Sequence, residues 1–192
     1  MPVPRSLGSV TDILIAFHSP TGRTRALAQR LAEGVASVEG CVALLRRIGP
    51  DGPDPPATMA ELAACGGVAI GTPVHFAAPS TPVRAFLDQA TELWLGGVMA
   101  GRPATAFCGA GSGGGREAAL MALWAVFASH GMVILPLGGT HRELGDLSSA
   151  HGASPFGAGS IAGPGERPND VEGLLARRQG EALARLARRL SG

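Results

Sequence analysis

Ser19, Thr21 and Thr24 stand around Gly22 in the stretch His18-Ser-Pro-Thr-Gly-Arg-Thr24, directly after the short apolar run Ile13-Leu-Ile-Ala-Phe17. The run reads as a buried parallel strand, being continuously apolar, β-branched and ended by a proline turn. Leu27, Leu31, Val35 and Val38 then recur at helical spacing. A strand that passes into a helix N-terminus leaves unpaired N–H groups aimed at one spot, where the positive end of the helix dipole also lies. Hydroxyls can add donors there, and a glycine lets a ligand approach the backbone closely. Ser19, Pro20, Thr21, Gly22, Arg23 and Thr24 are therefore the candidate cradle for a phosphate.

Two further stretches carry comparable chemistry. Thr72-Pro-Val-His-Phe76 brings a backbone bend, an aromatic edge and a histidine donor, a combination suited to a flat ring system. Gly109-Ala-Gly-Ser-Gly-Gly-Gly115 is rich enough in glycine for N–H groups to reach a ligand directly. This third stretch also satisfies G-x-G-x-x-G through Gly109, Gly111 and Gly114. A dinucleotide fingerprint needs the first strand of its unit and an acidic residue roughly 20 positions on. Ser129, His130 and Gly131 stand near that offset, so the match is read as fortuitous.

The elements that must position these loops alternate. Strands are expected at 13–17, 41–48, 67–73, 102–108 and 132–137. Helices are expected after the first strand, at 58–64, at 79–91 and after the 109–115 loop, and a last one at 169–190. Residues 49–56 are too proline-rich for anything but a loop. Alternation implies a parallel sheet covered on both faces. Five strands predict a flavodoxin-like three-layer α/β sandwich in the order 2-1-3-4-5, which sets the ends of the first, third and fourth strands at one edge. Residues 138–168 lose periodicity, a length of loop that is often functional, with a short strand possible at 160–163.

At 192 residues and 45% apolar content the chain fits one domain, 1–192, with 1–10 expected as a flexible extension. No apolar stretch approaches the roughly 20 residues of a membrane span, and no signal peptide is legible. Cys41, Cys65 and Cys108 form no C-x-x-C pair and are an odd number, which predicts reduced thiols and a cytoplasmic home. A net charge of +1 disfavours nucleic acid as a partner. All 16 cationic residues are arginine, which excludes a Schiff-base lysine and a Walker A loop. No metal site is read from the sequence.

The pattern Ser-x-Thr-Gly-x-Thr resembles the flavodoxin signature, whose ligand is the phosphate of FMN. Beyond it, Gly71-Thr-Pro-Val-His-Phe76, Phe86-Leu-Asp-Gln89, Leu93-Trp94, Gly113-Gly-Gly-Arg-Glu117, His130-Gly-Met-Val-Ile134, Ser154-Pro-Phe-Gly157 and Ile161-Ala-Gly163 occur in order. Together they resemble the WrbA family, the type IV NAD(P)H:quinone oxidoreductases. The resemblance implies noncovalent FMN, a homotetramer built as a dimer of dimers, and two-electron reduction of quinones by NADH or NADPH in ping-pong turnover. It further implies that residues 19–24 hold the FMN phosphate and that Thr72, Pro73, Val74, His75 and Phe76 border the flavin ring. Ala110, Gly111, Ser112, Gly113, Gly114 and Gly115 would contact the other side of the ring. His130 is expected at the flavin edge as the catalytic candidate, and Phe76 and Trp94 over the ring as substrate contacts, Trp94 from a neighbouring subunit. Pro20, Thr21, Cys108, Gly109, Ala110 and Phe156 depart from the family's usual residues.

Overall fold

A computed structural model describes residues 10–50, 52–112, 114–146, 148, 150–161 and 167–191. The expected extension, all but Val10, lies outside these residues, as do Gly113, Ala162 and Gly163. Among the described residues seven strands form one sheet: β1 (Thr11–Phe17), β2 (Cys41–Arg47), β3 (Gly67–His75), β4 (Ala78–Pro79), β5 (Pro103–Ala110), β6 (Val133–Ile134) and β7 (Gly159–Ile161). Its backbone is parallel, in the order β2-β1-β3-β5-β6, which is the order expected.

Alternation along β1 sorts the two cores. Ile13, Ile15 and Phe17 face α1 (Arg23–Ala36) and α6 (Asp170–Ser191), joined by Leu27, Leu31, Phe107 and Leu183. Leu14 and Ala16 face the other way, toward α2 (Met59–Ala64), α3 (Thr81–Asp88) and α5 (Arg116–Ser129), with Ile70, Phe86, Leu120, Leu123 and Phe127. The helix expected over 79–91 is shorter and is followed by a separate turn of helix, α4 (Thr91–Leu95).

The fifth expected strand is divided. β6 pairs only with Pro103 and Ala104, and the carboxyl half of β5 is paired instead by β7, with Cys108 opposite Gly159. Between them runs most of the aperiodic segment, and two buried side chains of α6 tie its end down. Glu172 accepts N–H groups of Gly152, Ile161 and Asn169 and the hydroxyl of Ser160, at 2.9–3.0 Å. Gln179 accepts the Ala158 N–H at 2.6 Å and donates to Ala106 O at 3.0 Å. No helix among the described residues is long and apolar enough to cross a membrane.

Candidate functional site

The carboxyl ends of β1, β3 and β5 bring the three loops to one edge, and close contacts join them. A Cβ on Gly109 would lie 3.0 Å from Thr24 Oγ1 and 3.6 Å from Arg23 Cγ, so the end of β5 rests directly on the first turn of α1. Gly115, with φ of 79°, would meet Ala77 Cα at 2.8 Å; only a residue without Cβ fits where the third loop abuts the second.

In the first loop Gly22 takes the left-handed conformation, φ of 85°, that turns the chain into α1. Ser19 Oγ accepts the Arg25 N–H at 2.9 Å, which leaves its own O–H to donate. Thr24 is buried, and Pro20 and Thr21 are exposed. The first-turn N–H groups of a helix have no intrahelical acceptor, and Arg23 Nε is buried with no partner among the described residues. This orphaned donor beside a helix N-terminus is the chemistry an anion completes.

The second loop is a tight hairpin. β4 folds back on β3, with His75 opposite Ala78, through Phe76 and Ala77 at φ of 52° and 61°. Positive φ at both central residues is the type I′ turn, which usually selects Asn and Gly; a phenylalanine there is strained. Phe76 is nonetheless fully exposed at the tip, held out where no core contact rewards it. Thr72 is buried, and its hydroxyl accepts the Ser80 N–H at 2.9 Å, so the side chain serves the hairpin and only its backbone can serve a ligand. His18 Nδ1 lies 2.9 Å from Ser80 Oγ, linking the first loop to the second. Pro73 and Val74 are half-buried and His75 exposed.

In the third loop Ala110 is buried at the end of β5, and Gly111, Ser112 and Gly114 are exposed. A Cβ at Gly111 or Gly114 would meet nothing within 4 Å. Cys108 beneath them is buried, and burial pushes its thiol up to about 12, although the Arg116 charge opposes the shift. It is no nucleophile.

His130 and Trp94 are not brought to this edge within one chain. As a crossover helix, α5 starts at the carboxyl edge and descends about 21 Å over its 14 residues. His130 follows its last turn, beside Gly131, whose carbonyl accepts the Gly101 N–H at the amino edge of the sheet. Trp94 is there too, its Nε1–H donating to Ser129 O at 3.0 Å. His130 lines a small apolar cavity with Leu87, Met99 and Met132; its Nδ1 is buried without a partner among the described residues, and burial lowers its pKa.

Sequence reasoning did not find Ser80, the loop after β2 or the contacts of the His18 ring as parts of this edge. Asp54 of that loop grips Arg25 at 2.6 Å, and Gly49 packs against the His18 ring. No motif announces them, because each acts through a contact between loops distant in sequence.

The doubly wound sheet with an anion-seeking carboxyl edge defines a flavodoxin-like α/β protein. The fold is shared by a flavodoxin, WrbA-like protein from Agrobacterium tumefaciens, at 21% identity and a TM-score of 0.72 over 93% of this chain and 98% of that one. A flavodoxin from the domain Archaea matches at 16% identity and a TM-score of 0.67, covering 93% and 99% of the two chains. Residues 13–140 match the model of the NADPH-dependent FMN reductase family, and the chain belongs to that family.

Proposed function

We propose that the protein is an FMN-dependent NAD(P)H:quinone oxidoreductase of the WrbA type. The observation that carries this reading is the meeting of three loops at one sheet edge, with a fully exposed Phe76 held out on a strained turn beside open glycine backbone. Ser19, Pro20, Thr21, Gly22, Arg23 and Thr24 would hold the phosphate by hydroxyls, first-turn N–H groups and the Arg23 guanidinium. The backbone from Thr72 to Phe76 would border the ring, and Ala110, Gly111, Ser112, Gly114 and Gly115 would face its other side; Gly113 lies outside the described residues. Bound FMN would supply two-electron hydride chemistry, and the protein supplies orientation and exclusion of water. NADH or NADPH and then the quinone occupy the same place beside Phe76 in turn.

Trp94 and His130 reach such a site only from another copy. In support, α5 exposes Ala118, Met121 and Ala125 on its outer face, and Trp94, Leu95 and Val133 are exposed nearby. A helix apolar on every side is one built to be covered, which fits a homotetramer assembled as a dimer of dimers. Three buried free cysteines, at least one of them unable to ionise near neutrality, fit a cytoplasmic setting.

The test mixes FMN-loaded protein anaerobically with NADH or NADPH, with no partner reductase, and follows the oxidised-flavin absorbance before and after benzoquinone. Bleaching followed by full recovery supports the reading. Bleaching only when a separate reductase is added replaces it with an electron carrier. A monomer by light scattering, with FMN present, removes Trp94 and His130 from the site.

A further inference from the structure

Several arginines are paired: Arg25 with Asp54, Arg46 with Glu61, Arg178 with Glu143, and Arg102 with the carbonyls of Ala63 and Cys65. Among the described residues, buried guanidinium nitrogens without a partner occur at two arginines, Arg23 and Arg116. These are the first residues of α1 and α5, which follow the first and third loops, and each comes after a left-handed glycine. Arg23 belongs to the phosphate loop already described. Arg116 has the stronger deficit, since both its Nε and its Nη1 are buried and unbonded.

Its surroundings fix where that deficit lies. Gly115 is seated against Ala77 of the hairpin, so α5 begins at the junction of the second and third loops. Arg116 itself is the residue after Gly115, so its backbone stands at that junction. The acid next to it, Glu117, points to solvent and makes no ion pair with it. Leaving donors of a charged group buried and unpaired is costly. At the mouth of a ligand site, that cost is recovered when the ligand brings the acceptors.

We propose that Arg116 is a ligand-contacting residue that donates to a carbonyl or anionic ring edge of bound FMN and favours its reduced, more negative form. This rests on the FMN reading above. A positive charge held beside the ring in a water-poor setting acts on the charge gained on reduction. A contact of this kind also makes the free protein bear an unpaired charge that the loaded protein does not.

The experiment compares wild type with Arg116→Gln and Arg116→Lys. Three quantities are read: the FMN Kd by fluorescence quenching, the midpoint potential of bound FMN by equilibration with reference dyes, and thermal stability with and without FMN. Arg116→Gln is expected to lose about tenfold in preference for reduced over oxidised FMN, which is about 30 mV for a two-electron couple. Without FMN it unfolds at or above the wild-type temperature, and FMN stabilises it less than it stabilises wild type. Arg116→Lys keeps most of the potential, because the charge remains. An unchanged potential and Kd in Arg116→Gln overturns the proposal while leaving FMN binding intact. Should that variant fold poorly, Arg116→Met is judged by the same two readouts. Failure of wild type to bind FMN at all removes the FMN reading and this inference together.

Discussion

Replacing Gly111 by alanine separates a ligand-facing loop from an ordinary surface turn. Gly111 is exposed, is not among the residues with positive φ, and has nothing within 4 Å of where a Cβ would be. In the free protein the methyl group costs nothing and restricts the unfolded chain, so Gly111→Ala should stabilise folding by about 0.4–1 kcal/mol. If the open space is the ligand's, the same methyl group intrudes on bound FMN. An overpacking cost of about 1–3 kcal/mol weakens binding from about fivefold to more than a hundredfold. Urea unfolding of the free protein gives the first quantity, and flavin fluorescence quenching gives the second. Gly115→Ala is the contrast: with φ of 79° and Ala77 Cα at 2.8 Å it should lose about 2–4 kcal/mol of stability from strain and collision with backbone. A Gly111→Ala protein that is more stable and binds FMN as tightly as wild type would refute the placement of the third loop against the ligand.

Phe76→Gly should raise the stability of the free protein by about 1 kcal/mol, since it relieves the left-handed strain and gives up no buried surface, yet slow quinone turnover; denaturant titration beside steady-state rates checks both. Glu172→Gln turns an amide NH₂ toward groups that now donate to a carboxylate, and should cost about 2–4 kcal/mol with early hydrogen exchange at Gly152 and Ile161; uniform exchange protection would count against it. His130 has its pKa lowered by burial from the ordinary 6.5, so the unfolded chain binds its proton first as pH falls. Stability should therefore drop from about pH 7 downward until pH passes the folded value, and His130→Gln should flatten that part of the curve when unfolding is followed against pH.

The order of the sheet was legible because each strand of the core is an apolar run followed by a helical repeat, and parallel strands joined by helices admit few arrangements. The turn of the candidate phosphate loop was legible for the same reason: Ser19, Gly22 and Thr24 sit where a strand hands over to a helix, a local event. The division of the fifth strand was not. Val133 and Ile134 continue into residues of suitable type, but Glu172 and Gln179, far along the chain, hold the 152–161 segment so that β7 takes the place beside Cys108. The place of His130 was not legible either. Its neighbours in sequence resemble a flavin-site motif, whereas the crossover that gathers the loops at one edge carries the end of α5 to the other.

By itself, then, the sequence determined the alternation of strands and helices and the presence of a glycine- and hydroxyl-rich edge, consequences of periodicity and local backbone preference. Only the tertiary structure decided which donors remain unpaired there. Thr72 is committed to Ser80 and Arg25 to Asp54, while Arg23 and Arg116 keep buried N–H groups without acceptors among the described residues. Whether a polar group is satisfied depends on what distant segments bring within about 3 Å of it, and no spacing along the chain records that.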